Sequence, residues 1–186
     1  MKNCSLKDYK NESEHCQLCS ISKSRNKVVF GTGDEKANIM FIGEAPGETE
    51  DRIGQPFVGK AGEVFSDLLK IIGMSRSQIY LTNMVKCRPS NNRDPLPEEI
   101  SACSKYLDAQ LAIVMPQLIV PMGKFAVGKF FPGIALKDIH GKAKMEDDTV
   151  TFAMYHPAAA LYNVNMKKIL EEDMGRLKFV IQRFGV

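Results

Sequence analysis

The sequence has no strong excess of charge, no long hydrophobic stretch and no even set of cysteines. Its formal net charge is only +3, from 25 Lys and Arg residues against 22 Asp and Glu residues, so composition alone does not indicate a nucleic-acid partner. No apolar run approaches the roughly 20 residues that cross a bilayer. The first residues lack the apolar run of a secretory signal, and the cysteine count of five is odd. We therefore expect no membrane segment, no disulfide framework and a reducing, cytoplasmic location.

Internal repeats, low-complexity tracts and Pro/Gly/Ser-rich linkers are also lacking in the 186 residues. The balance of 44% hydrophobic and 25% charged residues is that of a globular protein. We therefore expect a single domain, 1–186, in which residues 1–30 form a polar arm that carries cysteines.

Beyond this arm, short apolar runs alternate with amphipathic stretches. The pattern predicts strands at 38–42, 79–83, 118–121 and 150–155, helices at 62–72, 97–115, 124–131 and 165–183, and a long loop at 43–59. This alternation indicates an α/β fold with a central, mostly parallel, four-stranded sheet. Ligands of such sheets bind at the carboxyl ends of the strands. The residues at those ends are Gly43 and Glu44, Asn83, Gly123 and His156.

The cysteines form one close pair and two distant singles. Cys16 and Cys19 make a CxxC pair, Cys87 and Cys103 follow far downstream, and Cys4 is left over. Four thiolates suit either zinc or an iron–sulfur cluster, and their spacing alone does not separate the two. The competing interpretations are a redox-active CxxC pair, or a simply buried Cys87 or Cys103.

The loop at 43–59 lacks both common phosphate-binding patterns, GxxxxGK[ST] and GxGxxG, and its acidic residues would repel a phosphate. Glu44 and Glu50 instead bring carboxylates beside glycine-rich backbone. Phe57 is an aromatic residue within this loop, so it can stack on a planar ligand, although a single loop phenylalanine more often fills the core.

Two further residues suit the recognition of a nucleobase. The amide of Asn83 offers donors and an acceptor that complement a base edge, although a strand-end asparagine is more often a turn residue. His156, one of three histidines, can donate to an oxygen that gains negative charge, although a structural role is the simpler interpretation. Both residues lie at predicted strand ends, and this shared placement favours a functional role for each.

The segments GEAPG (43–47), GQPFVGKAG (54–62), LTNMVKCRP (81–89) and HPA (156–158) together resemble the motifs of family 4 uracil-DNA glycosylases. These are the iron–sulfur members of the uracil-DNA glycosylase superfamily in bacteria and archaea. The resemblance implies a three-layer α/β/α fold. It also implies hydrolysis of the N-glycosidic bond of uracil in single- or double-stranded DNA, which leaves an abasic site for base excision repair. A monomer in the prokaryotic cytoplasm, associated with the nucleoid, is the expected form.

The resemblance also implies roles for individual residues. A [4Fe-4S] cluster would be bound by four cysteines and leave Cys4 free; the four are Cys16, Cys19, Cys87 and Cys103. Phe57 would stack on uracil, Asn83 would read its Watson–Crick edge and His156 would face its O2 carbonyl. The backbone of Gly43, Glu44 and Ala45 would line the pocket.

Glu44 is the first candidate to orient or activate water, and Glu50 and Asn92 are further candidates near the site. Carboxylates suit this chemistry, because glycosidic hydrolysis passes through a cationic sugar.

The sequence departs from the family after His156, where relatives often have serine, leucine and arginine in the motif. Here Leu161 and Tyr162 are candidates to wedge into the duplex, and the arginine is missing. Residues 87–95 contain no basic insert of the kind found in relatives that cross-link to abasic DNA, so a monofunctional enzyme is expected. Local positive charge is expected from Lys86, Arg88 and Arg93, and from Lys167 and Lys168.

Two interpretations from other classes compete with a glycosylase. An iron–sulfur electron carrier or redox sensor needs only the cysteines, and it leaves Phe57, Asn83 and His156 without a role. A non-catalytic DNA-binding module with a structural metal is the second.

Overall fold

A computed structural model describes residues 4–185 and is organised around one six-stranded sheet. The strands are β1 (Thr32–Gly33), β2 (Ile39–Gly43), β3 (Tyr80–Asn83), β4 (Leu118–Pro121), β5 (Ala143–Glu146) and β6 (Thr149–Phe152). Their order across the sheet is β1-β3-β2-β4-β6-β5. The four inner strands pair in parallel, whereas β1 and β5 pair antiparallel to their neighbours at the two edges.

The four inner strands confirm the predicted parallel sheet, and the two edge strands correct its predicted size from four strands to six. Every residue of β2, β3 and β4 is buried, as their apolar runs predict. In contrast, β1 has only two residues, both exposed, and β5 is largely exposed. Exposed edge strands need no apolar run, so hydrophobic patterning does not reveal them.

Helices cover both faces of the sheet. They are α1 (Leu6–Glu14), α2 (Glu48–Ile53), α3 (Lys60–Ile71), α4 (Pro97–Val114), α5 (Lys124–Phe130), α6 (Leu136–Ile139) and α7 (Val164–Phe184). Ile39 and Phe41 of β2 pack on one side with α3 and α7, while Met40 and Ile42 pack on the other side with α4. Because successive side chains of a strand point to opposite faces of the sheet, β2 contributes to two hydrophobic cores. The expected three-layer α/β/α fold is confirmed.

The segment 43–59 is not one long loop, because it contains α2. Glu48, Glu50 and Asp51 occupy the first turn of this helix, where negative charge favours the positive end of the helix dipole. Gly54 ends the helix in a left-handed conformation with φ of 88°. The glycines that predicted a loop therefore delimit a short helix.

The strand order brings the predicted site residues to one edge of the sheet. Gly43 and Asn83 are register partners at the ends of β2 and β3. Met122 and Met154 form a parallel bridge beyond β4 and β6, so His156 leaves the sheet on the same side. Within residues 4–185, no helix combines the length and hydrophobicity needed to cross a membrane.

Candidate active site and cysteine cavity

A cleft of about 490 Å³ opens at the carboxyl ends of the parallel strands, and we call it the strand-end cleft. Nine candidate active-site residues named from the sequence line it: Glu44, Ala45, Glu50, Phe57, Asn83, Asn92, His156, Leu161 and Tyr162. Gly43 lies against Asn83 and Phe57 of this cleft. The structure thus brings together side chains that are more than 100 residues apart in the chain.

Asn83 and Phe57 meet above Gly43. A Cβ on Gly43 would collide with Oδ1 of Asn83 and would lie 2.7 Å from Cζ of Phe57, so only glycine leaves this space open. Asn83 is 2% exposed, and its Oδ1 is the buried side-chain polar atom without a hydrogen-bond partner among the described residues. A buried acceptor without a partner is costly unless a ligand supplies the donor.

Phe57 is held in an unusual backbone conformation. Its φ of 54° is left-handed, which is rare for a bulky residue. Oε1 of Glu50 accepts hydrogen bonds from the backbone N–H groups of Val58 at 2.9 Å and Gly59 at 2.7 Å. This geometry gives Glu50 a role in shaping the loop of Phe57, which differs from the water-handling role expected from the sequence.

His156 lies beside the ring of Phe57. The two rings are 5.5 Å apart and inclined by 25°, which is too close to admit a third ring between them. Burial lowers the pKa of His156 to about 4, so the ring is neutral at physiological pH. Its Nδ1 accepts from the N–H of Ala158 at 3.2 Å, which assigns the proton to Nε2. His156 is therefore a neutral hydrogen-bond donor.

Glu44 is oriented by the beginning of α5. Its Oε1 accepts from the backbone N–H of Phe125 at 2.9 Å. A Cβ on Gly123 would lie 2.5 Å from the same oxygen, so the glycine after β4 makes room for the carboxylate. Burial raises the pKa of Glu44 above its ordinary value, although the N–H of Phe125 opposes the shift. A carboxylate with a raised pKa is a better proton acceptor than an exposed one.

The rim of the cleft is exposed and partly basic. Tyr162 is 89% and Leu161 39% exposed, so both are accessible to a large partner. Asn92 accepts from Nε of Arg88 at 2.8 Å. Arg93 is already paired, since its guanidinium donates to both carboxylate oxygens of Glu99.

A second cavity lies on the α4 side of the sheet, and we call it the cysteine cavity. Four cysteines line it: Cys16, Cys19, Cys87 and Cys103. Most of the other lining side chains are apolar, and Cys4 is exposed outside it. Burial raises the pKa of Cys87 to about 12 and also raises that of Cys103, so neither resembles a reactive, low-pKa thiol.

Comparison with known proteins now decides the family. The family model of the Uracil DNA glycosylase superfamily matches residues 30–175, which is most of the chain. The chain belongs to the uracil-DNA glycosylase superfamily. Within it, the chain is 45% identical to a type-4 uracil-DNA glycosylase of Sulfurisphaera tokodaii, over 94% of this chain and 84% of the relative. It is 40% identical to the type-4 protein of Archaeoglobus fulgidus, over 93% and 92% of the two chains. The type-4 protein of Thermotoga maritima is 37% identical, over 91% of each chain.

In this type-4 member of the superfamily, the predicted location of Lys86 is wrong, because the residue is a buried cation. Lys86 is 1% exposed, so it does not contribute to the local positive surface that the sequence predicted. Its Nζ donates to Oγ1 of Thr82 and to the carbonyl of Asn83, both at 2.7 Å, and to Oε1 of Gln110 at 2.6 Å. Burial lowers the pKa of Lys86 to about 7. The lysine therefore holds the backbone of Asn83 from inside the fold.

Lys86 also connects the two cavities of this superfamily member. Its backbone N–H donates to Sγ of Cys103 at 3.2 Å, while its side chain reaches Asn83. Glu99 makes a similar connection, because it pairs with Arg93 of the cleft and accepts from Ser20, the neighbour of Cys19. The Arg93 hydrogen bonds lower the pKa of Glu99 to about 2. A single sequence gives no signal for these roles, since Lys and Glu are usually exposed.

Proposed function

We propose that this chain is a monofunctional uracil-DNA glycosylase, which hydrolyses the bond between uracil and deoxyribose and leaves an abasic site for base excision repair. The observation that carries the proposal is the partnerless Oδ1 of Asn83, buried beside the ring of Phe57 above Gly43. This arrangement suits a flat ligand with a hydrogen-bond donor on its edge. The type-4 relatives support the same substrate by their names.

Uracil fits the amide of Asn83. The N3–H of uracil is a donor for Oδ1, and the O4 of uracil is an acceptor for the amide nitrogen. Cytosine instead has an acceptor at N3, which would face the acceptor Oδ1, and an amino donor at position 4, which would face the donor nitrogen of the amide. The ring of Phe57 supplies a stacking surface, whose contact is worth about 1–3 kcal/mol per base. The base reaches this pocket by leaving the helical stack.

Glu44 directs the water. The bond between C1′ and N1 breaks, and its electron pair stays on uracil while positive charge develops on the sugar. The carboxylate of Glu44 stabilises this charge and accepts a proton from the water whose oxygen forms the new bond to C1′. Its orientation by the N–H of Phe125 supports this role.

His156 stabilises the leaving group. Uracil departs as an anion with charge on O2, and the neutral Nε2–H of His156 is the proposed donor to that oxygen. One such donor typically contributes about 3–4 kcal/mol to the transition state. The proton remains on the imidazole, since a neutral donor is sufficient. No lysine nucleophile is required, so strand cleavage is not expected.

The cysteine cavity is the proposed site of a [4Fe-4S] cluster. The donor set of four cysteines among mostly apolar side chains fits such a group. Within residues 4–185, no three His, Cys, Asp or Glu side chains converge closely enough to ligate one metal ion. The choice of a cluster over a zinc ion rests on the resemblance to the iron–sulfur family 4 enzymes. When bound, it joins Cys16 and Cys19 of the arm to Cys87 and Cys103 of the body.

The exposed rim suggests how DNA is engaged. Leu161 and Tyr162 are proposed to fill the space that the extruded uracil leaves, in single- or double-stranded DNA. We also propose that the protein acts as a monomer. Since the substrate is DNA of the nucleoid, we propose a cytoplasmic location.

The test is direct. Purified protein is incubated with an oligonucleotide that contains one uracil, and the product is treated with alkali, which cleaves at an abasic site. We expect an alkali-labile product from the uracil strand and none from a matched strand with thymine. Folded, cluster-loaded protein that yields no product above the thymine control overturns the proposal and favours the DNA-binding module or the electron carrier.

A further inference from the structure

Arg76 makes an unusually specific set of contacts outside the strand-end cleft. It begins the 3-10 turn Arg76–Gln78, just before β3, and it is not among the described residues that line the cleft. Its Nη2 donates to the carbonyl of Phe57 at 2.6 Å and to the carbonyl of Gly62 at 2.7 Å. Its Nε donates to Oγ of Ser66 at 3.1 Å.

These contacts fix the strained residue of the pocket. Phe57 has a left-handed φ of 54°, a conformation that persists only where surrounding groups stabilise it. Glu50 binds the N–H groups that follow Phe57, and Arg76 binds the carbonyl of Phe57 itself. The peptide unit after Phe57 is thus held by a carboxylate on one side and a guanidinium on the other.

The guanidinium also supports the ring that lies behind Phe57. Cζ of Arg76 lies 5.8 Å from the centre of the Phe65 ring, and the Phe65 ring lies 5.3 Å from that of Phe57. A Cβ on Gly62 would collide with the carbonyl of Phe57, so this packing leaves no room for the loop to relax inward.

We propose that Arg76 is a positioning residue that sets the orientation of the Phe57 ring for stacking on the extruded base. The inference rests on the proposed function, because it assigns Phe57 to base stacking. A lysine at this position keeps the charge but cannot reach the two carbonyls and the hydroxyl in one plane. The proposed positioning of Phe57 therefore depends on the planar arrangement of the guanidinium N–H donors as well as on the charge of Arg76.

The test is a double-mutant cycle with Phe57. Arg76→Met and Arg76→Lys are made in the wild type and in Phe57→Ala, with exposed Arg183→Met as the matched control. We expect Arg76→Met to lower kcat/KM on a uracil oligonucleotide roughly tenfold or more in the wild type, a loss typical of hydrogen bonds from a charged group. Arg76→Lys should give a smaller loss. In Phe57→Ala, Arg76→Met should change kcat/KM less than about twofold, because the ring it positions is gone. Equal losses in both backgrounds overturn the proposal.

A second measurement separates this proposal from the proposed function. Protein labelled with 4-fluorophenylalanine gives a ¹⁹F resonance for Phe57, assigned by its loss in Phe57→Leu. We expect Arg76→Met to shift or broaden this resonance and Arg183→Met to leave it unchanged. An unmoved Phe57 resonance overturns the positioning role even if activity falls. If Arg76→Met shifts the resonance but the wild-type protein has no glycosylase activity, the positioning role is supported and only the proposed enzymatic function is overturned.

Discussion

The strand-end cleft and the cysteine cavity lie at opposite ends of one five-residue segment, 83–87, yet they are built in different ways. The cleft is open and carries a buried acceptor without an internal partner, Oδ1 of Asn83. The cysteine cavity is lined by thiols and mostly apolar side chains, and its buried lysine, Lys86, already has hydrogen-bond partners. Unsatisfied groups are suited to capture a transient ligand, whereas a satisfied apolar wall is suited to retain a permanent one. Substitutions in the cleft should therefore affect turnover, and substitutions in the cysteine cavity should affect stability.

The largest expected effect on turnover is that of Glu44→Gln. The amide keeps the size of the carboxylate but cannot accept the proton of water, so we expect kcat/KM to fall about 10²- to 10⁴-fold. Binding of uracil-containing DNA, measured by fluorescence anisotropy, should change little. Full activity in this variant would assign the water to another group.

The pH dependence sharpens this expectation. Glu44 must be deprotonated to act, so kcat/KM of the wild type should fall as pH drops through the raised pKa of Glu44. His156 stays neutral down to about pH 4, so its protonation should not limit activity before that of Glu44. The residual activity of Glu44→Gln should lack the acid limb of Glu44, and an unchanged acid limb would contradict the assignment.

Asn83→Asp should have the next largest effect. The carboxylate loses the donor to O4 of uracil and gains an acceptor for the amine of cytosine, so we expect uracil release to fall roughly 10- to 100-fold. Cytosine release should become measurable in the same oligonucleotide assay. Asn38→Asp is the matched control, since Asn38 is exposed just before β2, at the far end of that strand. Unchanged base preference would remove Asn83 as the edge reader.

Tyr162→Ala should have a smaller effect that depends on the substrate. Extrusion of a base from a duplex costs a few kcal/mol, and less from a single strand. We expect kcat/KM to fall up to about tenfold on duplex DNA and little on single-stranded DNA. Phe179→Ala removes another exposed aromatic side chain away from the cleft and should affect neither substrate. Equal losses on both substrates would argue against a wedge.

The smallest effect on turnover is expected from Cys16→Ala, although its effect on stability should be large. Loss of one ligand should remove iron and its colour and lower the melting temperature, because binding of a structural metal contributes to folding. The folded fraction should keep kcat within about fivefold. Cys4→Ala, at the exposed cysteine, should change none of these properties. Loss of catalysis in a folded, iron-free Cys16→Ala protein would break the separation between the two cavities.

Much of the scaffold follows from short apolar runs. The predicted strand at 118–121 is β4 with identical bounds, and the helix predicted from Pro97 begins at that residue. The positions at the carboxyl ends of the strands led to the cleft, because parallel strands share one end. These features could be predicted because the elements are buried, and buried elements have recognisable patterns of apolar residues.

The remaining features depend on polar contacts between distant segments. Edge strand β5 and helix α2 are short and partly exposed, so their apolar signal is weak. The inward orientation of Lys86 depends partly on Gln110, 24 residues away in the chain, and Arg76 binds the carbonyl of Phe57, 19 residues away. Such partners are set by the tertiary fold, so no local pattern predicts them.

The left-handed conformation of Phe57 has a kinetic consequence. A base that has swung out of a duplex is a short-lived minority state, and it returns to the stack unless a partner captures it. Because the conformational cost at Phe57 is met during folding, the ring that we propose to stack on the base is in place before DNA arrives. If Phe57 stacks on the base as proposed, capture of an extruded uracil needs no rearrangement of the loop that carries this residue.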